Sequence, residues 1–448
     1  MVLTISNVRC QIGNDFSKFS SMHSSLEHSY VKILKDLIKI PSISFEGFDN
    51  NNVKRCANAV FNLFKAHKFD KVRFLGAKTG KPAVFAQLNG NPKLPSVLLY
   101  AHYDVQPAAP DAFNPYIKDG RLYGRGSADD KAAIILHLTA ALIAQTALGK
   151  DCPTIKILVE GEEECGSPNL SALLKECKEL KSDVAIVCDS SNWDETTPAI
   201  VNSLRGVASL EIEMKSMAKP LHSGLWSGPI PDVAQGLAHI LAKLELPKHS
   251  AKVQMQYSAK RLRKECELLG KTKILVKESE ILTALWKQPS ITVTAIEAGN
   301  RKQAGNVLQN RAWARISIRI PPGMDTKKVL NTTKKKIEAS CPWGLQLSIK
   351  AEKGTSQPWE TKTDNKFFKK MLAALQKGYG KKALVMGCGA SIPMVAALSK
   401  AFKGMPVLLT GVEDPKSNAH GENESVSLAV LSKAIVSEAL FFATLGDK

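Results

Sequence analysis

The sequence predicts an α/β fold, a mixed-sheet domain into which a second, α+β domain is inserted. Three observations carry that expectation. Four short, mainly apolar runs (96–100, 154–159, 183–188 and 406–410) have the length and bounding residues of buried strands, and helical segments separate them. Between about residues 206 and 354 the pattern changes to alternating apolar and polar positions, the mark of a sheet covered on one face. At 448 residues the chain also exceeds the size at which one hydrophobic core keeps growing, so two domains are expected.

Taken in order, residues 1–24 are polar and Ser-rich and read as a loosely held extension. Apolar residues at helical spacing (Val31, Leu34, Leu37, Ile38) predict a helix over 26–40, which Pro41 stops. Val60, Leu63 and Phe64 mark the buried side of a second helix over 53–67. A Gly-rich loop, Gly120 to Lys131, opens an apolar helix over 132–148. It matches neither GxxxxGK[ST] nor a GxGxxG following a strand, which argues against nucleotide binding. The strand at 154–159 runs directly into four acids, Glu160, Glu162, Glu163 and Glu164. In the inserted domain, strands are expected at 207–214, 291–296, 313–320 and 345–349, and helices at 233–244 and 325–339. The Lys-rich stretch 248–287 reads as further helix. The resulting boundaries are 1–24 for the extension, 25–206 and 356–448 for the first domain, and 207–355 for the inserted one. No repeat of solenoid period is present.

Composition narrows the class. With 44% hydrophobic and 23% charged residues the chain has an ordinary globular balance. Lys and Arg outnumber Asp and Glu by 61 to 42, a net charge of +19. The excess is scattered Lys without interleaved aromatics, so it reads as solubility and attraction for anionic substrates, not as a nucleic-acid interface. Nine cysteines, odd in number and without a CxxC pair, point to reduced thiols. No apolar run approaches the ~18 residues of a membrane span, and residues 1–10 lack the pattern of a signal peptide. The expected setting is the cytoplasm, with no membrane or nucleic-acid partner.

Ligand-type residues stand at or beyond the strand ends. His102 and Asp104 follow the first strand; residues two apart in extended chain point the same way, so the carboxylate can fix the imidazole. Alone, a histidine there is more often a satisfied structural residue than a metal ligand. Asp129 and Asp130 open the helix at 132–148, where they can also act as capping acids. The acidic run by itself reads as a solvated loop, yet at the tip of a core strand it calls for something positive to hold it. Asp189 ends the third strand, and His420 and Glu422 follow the fourth. The recurrence matters, because in open α/β sheets sites form outside the carboxyl ends of the strands. Imidazoles and carboxylates without paired thiolates form a donor set suited to Zn²⁺, Mn²⁺ or Co²⁺. One carboxylate shared between two ions would place them about 3.5–4 Å apart, and metal binding can lower the pKa of a water between them to about 7. Glu163 beside Glu164 supplies one acid to ligate and one to take the proton.

The order His102-x-Asp104, Gly124-Arg-Gly-Ser-Ala-Asp-Asp-Lys131, Glu163-Glu164, Asp189, His222 and His420 resembles the M20 metallopeptidase family, especially its cytosolic, carnosinase-like dipeptidase branch. The similarity runs from about residue 25 to the end. It implies a di-metal exopeptidase-type catalytic domain with a ferredoxin-like inserted lid or dimerisation domain. It implies two divalent ions per subunit, Zn²⁺ first and Mn²⁺ or Co²⁺ as alternatives. His102, Asp129 and Asp189 would hold one ion, and Asp129, Glu164 and His420 the other. Asp104 would orient His102, Glu163 would be the general acid/base, and the Asp129–Asp130 peptide bond would be cis. Leu221-His-Ser-Gly224 looks like the family segment whose histidine, here His222, stabilises the tetrahedral oxyanion, often across a dimer interface. Without the resemblance His222 reads as an exposed loop histidine, Asn306 as a turn former and Arg319 as a surface strand residue. With it, Asn306, Arg319 and Ser391 in the Gly389–Pro393 loop fall where the family receives a terminal carboxylate. Ala132, Gln309 and Cys388 depart from the family pattern, and none is a ligand position, so they bear on substrate choice.

The function expected is a cytosolic, homodimeric di-metal hydrolase that cleaves dipeptides or short peptides with a free C-terminal carboxylate. An N-acyl-amino-acid deacylase uses the same machinery with a different pocket. A non-enzymatic binding protein on the same fold is the reading from another class, and the filled ligand positions weigh against it.

Overall fold

The computed structural model describes residues 16–76, 81–352 and 354–446. The chain divides into two compact units. One takes in the residues up to Asn202, Thr361–Met386 and the segment from Pro393; the other takes in Ser203–Glu360 and the loop Gly387–Ile392. That loop had been expected with the first domain. Its membership of the second follows from a hydrogen bond within that unit, Arg205 Nε to Gly389 O at 3.0 Å.

The strands of the first unit that position the site or flank those that do are β1 (Lys71–Leu75), β2 (Ala83–Leu88), β3 (Val97–His102), β4 (Ile155–Glu160), β5 (Val184–Cys188), β6 (Ala199–Leu204) and β7 (Val407–Thr410). They lie in the order β1-β2-β4-β3-β5-β7-β6. The central four run parallel, with Leu99 opposite Ile157 on one side and Ile186 on the other, and Leu408 opposite Ile186 in turn. The flanking pairs are antiparallel. Every residue of β3, β5 and β7 is buried, which is why these strands are continuous apolar runs instead of alternating ones. Parallel strands point their carboxyl ends to one edge, so His102, Glu160, Cys188 and Thr410 all finish there.

The longer helices around this sheet are α1 (Phe16–Ile38), α2 (Asn50–Ala66), α3 (Lys131–Leu148), α4 (Lys366–Tyr379) and α5 (Leu428–Thr444). Asp49 caps α2 by accepting from Asn51 N. Helix α3 touches α1, α5 and β3 and is apolar on every side because residues 131–144 are all buried. By length and composition it could cross a membrane; its burial marks it as a core helix. Helix α1 begins at Phe16, so residues 16–24, read from the sequence as extension, are helical. The segment is polar by composition, but Phe19, Met22 and Leu26 recur at helical spacing and are at most 2% exposed. Residues 1–15 of that expected extension lie outside the described residues.

The second unit carries four antiparallel strands in the order Ser290–Glu297, Arg311–Ile320, Gly206–Lys215, Gln346–Ala351. With helices Val233–Ala242 and Thr326–Ala339 they make the β-α-β-β-α-β sequence of a ferredoxin-like fold. Alternate residues Leu210, Ile212, Ile316 and Ile318 face Val233, Leu237, Ile240, Val329 and Ile337 in one core. The expectation of helix throughout 248–287 fails. Only Ala259–Glu265 and Ile281–Trp286 are α-helical there, and Leu269 and Leu275 are 81% and 98% exposed. Without an apolar stripe to bury, a Lys-rich segment has little to hold a helix together.

Candidate metal centre

The carboxyl-end edge of the first unit brings together residues far apart in sequence. His102 is the last residue of β3, Asp129 sits in the loop before α3, and Asp189 follows β5; their ligand atoms lie within 4.8 Å of one another. Asp129, Glu164 and His420 form a second such group. Asp129 belongs to both. Its Oδ1 lies 3.1 Å from His102 Nε2, and its Oδ2 lies 2.9 Å from His420 Nε2. Glu164 Oε2 stands 3.2 Å from His420 Nε2, and Asp189 Oδ1 stands 3.9 Å from His102 Nε2. The Asp129–Asp130 peptide bond is cis. Asp130 does not cap α3 with its side chain; its carboxylate accepts from His102 N at 3.1 Å.

Orientation of His102 differs in detail from the sequence reading. Its Nδ1 lies 3.0 Å from the backbone oxygen of Asp104 and 3.4 Å from the carboxylate. With Nδ1–H donating there, the Nε2 lone pair faces the acids. The Asp104 carboxylate instead accepts from Glu163 N at 3.2 Å and Glu164 N at 3.0 Å, so it fixes the loop that bears both glutamates. Neutral donors hold three of the four acids in the run. Tyr100 Oη donates to Glu160 at 2.7 Å, Lys81 N and Asn169 Nδ2 donate to Glu162, and Gln106 donates to both oxygens of Glu164.

The remaining predicted residues sit in the second unit, in two groups. His222, exposed, pairs in a two-residue strand with Val307, and Ser223 N donates to Asn306 O at 2.9 Å, so His222 and Asn306 are neighbours. Arg319 Nη1 donates to Ser391 Oγ at 3.1 Å, and Ser391 Oγ in turn donates to Arg205 O. Arg205 went unnoticed in the sequence, where it is a lone arginine after an apolar strand. Its Nη1 reaches Gln288 O and Ser290 Oγ. Among the described residues neither Arg205 nor Arg319 has a carboxylate partner. Burial, with the Arg319 charge beside it, lowers Arg205 to about 10.

The chain matches the family described as Peptidase family M20/M25/M40 over residues 98–443. It belongs to that family. Cysteinylglycine-S-conjugate dipeptidase of Corynebacterium striatum is 32% identical over 376 residues, 79% of this chain and 81% of that protein. Beta-Ala-His dipeptidase of Rattus norvegicus is 25% identical over 455 residues, 90% of this chain and 89% of that protein. The fold is shared with the dipeptidase Dug1p of Saccharomyces cerevisiae at a TM-score of 0.85 and 20% identity, covering 98% of this chain and 100% of that one. The chain is thus a metallopeptidase of the M20 family.

Electrostatics of this M20 site fit a divalent cation. Desolvation pushes Glu163 up to about 8; His102 opposes that, and Glu164, Asp129 and Asp104 add to it. Asp189 is raised by burial and by Glu163. For Asp129 burial also acts upward, but the two imidazoles outweigh it and hold the acid well below the usual carboxylate range. Hydrogen bonds to Asp129 and Glu164 raise His420 to about 10. Four carboxyl groups thus crowd the buried imidazole of His102 and the exposed one of His420. His102 Nε2, buried and without a partner in hydrogen-bond geometry, points into that crowd. A set of imidazole nitrogens and carboxylate oxygens, in excess of negative charge and within reach of common points, is what hard or borderline divalent ions bind.

Proposed function

We propose that this M20 enzyme is a dipeptidase that hydrolyses the amide bond adjacent to a free C-terminal carboxylate. Asp129 with one oxygen toward each imidazole is the observation that carries the reading, because a carboxylate so placed would be available to both ligand groups. His102 and Asp189 complete one ligand set, and Glu164 and His420 the other. Zn²⁺ suits this donor set best, with Mn²⁺ or Co²⁺ as alternatives. When bound, the ions supply Lewis acidity, polarising the scissile carbonyl and making water acidic near neutral pH.

The protein's own groups do the rest. Glu163 takes a proton from the attacking water on its carboxylate and delivers it to the leaving nitrogen, a role that suits an acid poised near neutrality. Asp104 keeps Glu163 and Glu164 in place through their backbone N–H groups. His222 donates to the oxyanion of the tetrahedral intermediate. Arg319 and Ser391, with Asn306, receive the terminal carboxylate; a charge-assisted bond of this kind contributes about 1.5–3 kcal/mol. The dipeptidases among the relatives support the substrate class. The inserted domain serves as lid and homodimer interface, and the enzyme works in the cytoplasm.

Replacing Glu163 by Ala is expected to abolish hydrolysis of dipeptides while two metal equivalents remain bound by elemental analysis. Undiminished turnover would remove Glu163 from the mechanism. A substrate panel of dipeptides, their C-terminal amides and N-acetyl amino acids separates peptidase from deacylase; preference for the N-acetyl compounds would reassign the activity.

A further inference from the structure

We propose that Glu424 is a positioning residue for the metal centre, a clamp that fixes the backbone under Asp129 and ties it to the segment carrying His420. The side chain is buried, with 2% of the residue exposed, and both of its oxygens are fully engaged by one loop. Oε2 accepts from Arg125 Nη1 at 2.7 Å and Gly126 N at 3.0 Å. Oε1 accepts from Ala128 N at 2.9 Å and from Asp129 N itself at 3.0 Å. Arg125 reaches back through Nη2 to Gly421 O at 3.1 Å, and Gly124 N donates to Glu424 O at 2.9 Å.

These contacts lace together two stretches 295 residues apart in sequence, counted from Asp129 to Glu424. One carries Asp129 and the other His420, two members of the same ligand group. For Asp129 to keep an oxygen near each imidazole, its main chain must be fixed to within a fraction of an ångström. Three backbone N–H groups converging on a single carboxylate do that without any flexible intermediary. The guanidinium of Arg125, itself 4% exposed, neutralises the Glu424 charge, so the clamp brings no net charge to a site already rich in acids. Gly126 makes the approach possible: its φ is +84°, and a Cβ there would lie 2.8 Å from Val105 Cγ1. A carboxylate offers about four lone-pair positions, and here all four have a donor. An amide in its place keeps one acceptor oxygen and turns an NH₂ toward N–H donors.

The inference rests on the metal-site reading proposed above, and the experiment keeps the two apart. Full-length wild type, Glu424→Gln and Glu438→Gln are stripped with chelator, their unfolding temperatures recorded, and Zn²⁺ binding titrated by calorimetry. Glu438, a buried acid paired with His137 in the same unit, controls for general destabilisation. Expected is a loss of Zn²⁺ affinity of ~10- to 100-fold in Glu424→Gln, the size seen when groups that orient ligands are removed, with Glu438→Gln binding as wild type does. Should Glu424→Gln fail to fold, Arg125→Gln, which spares the three backbone bonds, is expected to weaken Zn²⁺ several-fold. Unchanged affinity in a folded clamp variant, or an equal loss in Glu438→Gln, overturns the proposal. A wild type that binds no Zn²⁺ refutes the metal reading itself.

Discussion

Two arginines in the second unit show how a single side chain can set substrate choice. Arg205 is 9% exposed, spends Nε and Nη1 on the backbone and Ser290, and anchors Ser391 through its own carbonyl oxygen. Its charge stands beside that of Arg319, and among the described residues neither has a carboxylate partner, an arrangement that an incoming anion would relieve. Replacing Arg205 by Gln should raise KM for a free dipeptide about ten- to hundredfold, the worth of one charge-assisted interaction. The effect on kcat should be smaller, and hydrolysis of the dipeptide amide should be unchanged. Steady-state kinetics on the pair check this; an equal loss on both substrates would make Arg205 structural only. Lys at the same position would restore charge without the fork that holds Gly389 and Gln288, so only partial recovery is expected.

At the level of elements, α1 links a sequence misreading to a pH response. His23, in the stretch taken as extension, is 3% exposed, and its Nε2 lies 2.8 Å from Tyr30 Oη, with Nδ1 3.4 Å from Ser432 Oγ on α5. Burial lowers its pKa to about 4. The unfolded chain binds that proton near the ordinary ~6.5, so between those two values the unfolded state holds more protons than the native one. Stability contributed by neutral His23 is therefore present above about 6.5 and is lost as pH falls toward 4. Urea unfolding at pH 7, 5.5 and 4.5 should show a steeper decline for wild type than for His23→Gln; parallel curves would exclude the effect. The contrast with the strands is instructive. Runs such as 96–100 and 183–188 could be read directly because both of their faces are buried, whereas α1 hides three apolar residues among serines. The stretch 248–287 erred the other way, since abundant Lys satisfies helix propensity without providing anything to pack.

On the scale of the molecule, metal binding couples to folding. Each unit has its own core, and the candidate ligands belong to one of them only. Ions that bind the native state alone stabilise it by mass action, about 4.1 kcal/mol at a thousandfold excess over Kd. Calorimetric scans should accordingly show Zn²⁺ raising the transition of the unit that holds the parallel strands and leaving that of the ferredoxin-like unit in place. A uniform shift of both would contradict the assignment. The ligand types were legible in the sequence because parallel strands deliver their last residues to one edge. The clamp from Glu424 and the lacing of Arg205 were not, since each depends on segments that meet only after folding.

The loop Gly387–Ile392 adds one practical outcome. The ferredoxin-like unit is assembled from two separate lengths of chain, and the shorter one supplies Gly389 and Ser391. A truncated protein spanning 203–360 would keep both guanidinium groups yet lose the hydroxyl and the carbonyl that steady them. The proposed carboxylate recognition thus depends on the uncut polypeptide, and domain-dissection studies of this enzyme should carry the distant hexapeptide along, for instance by circular permutation.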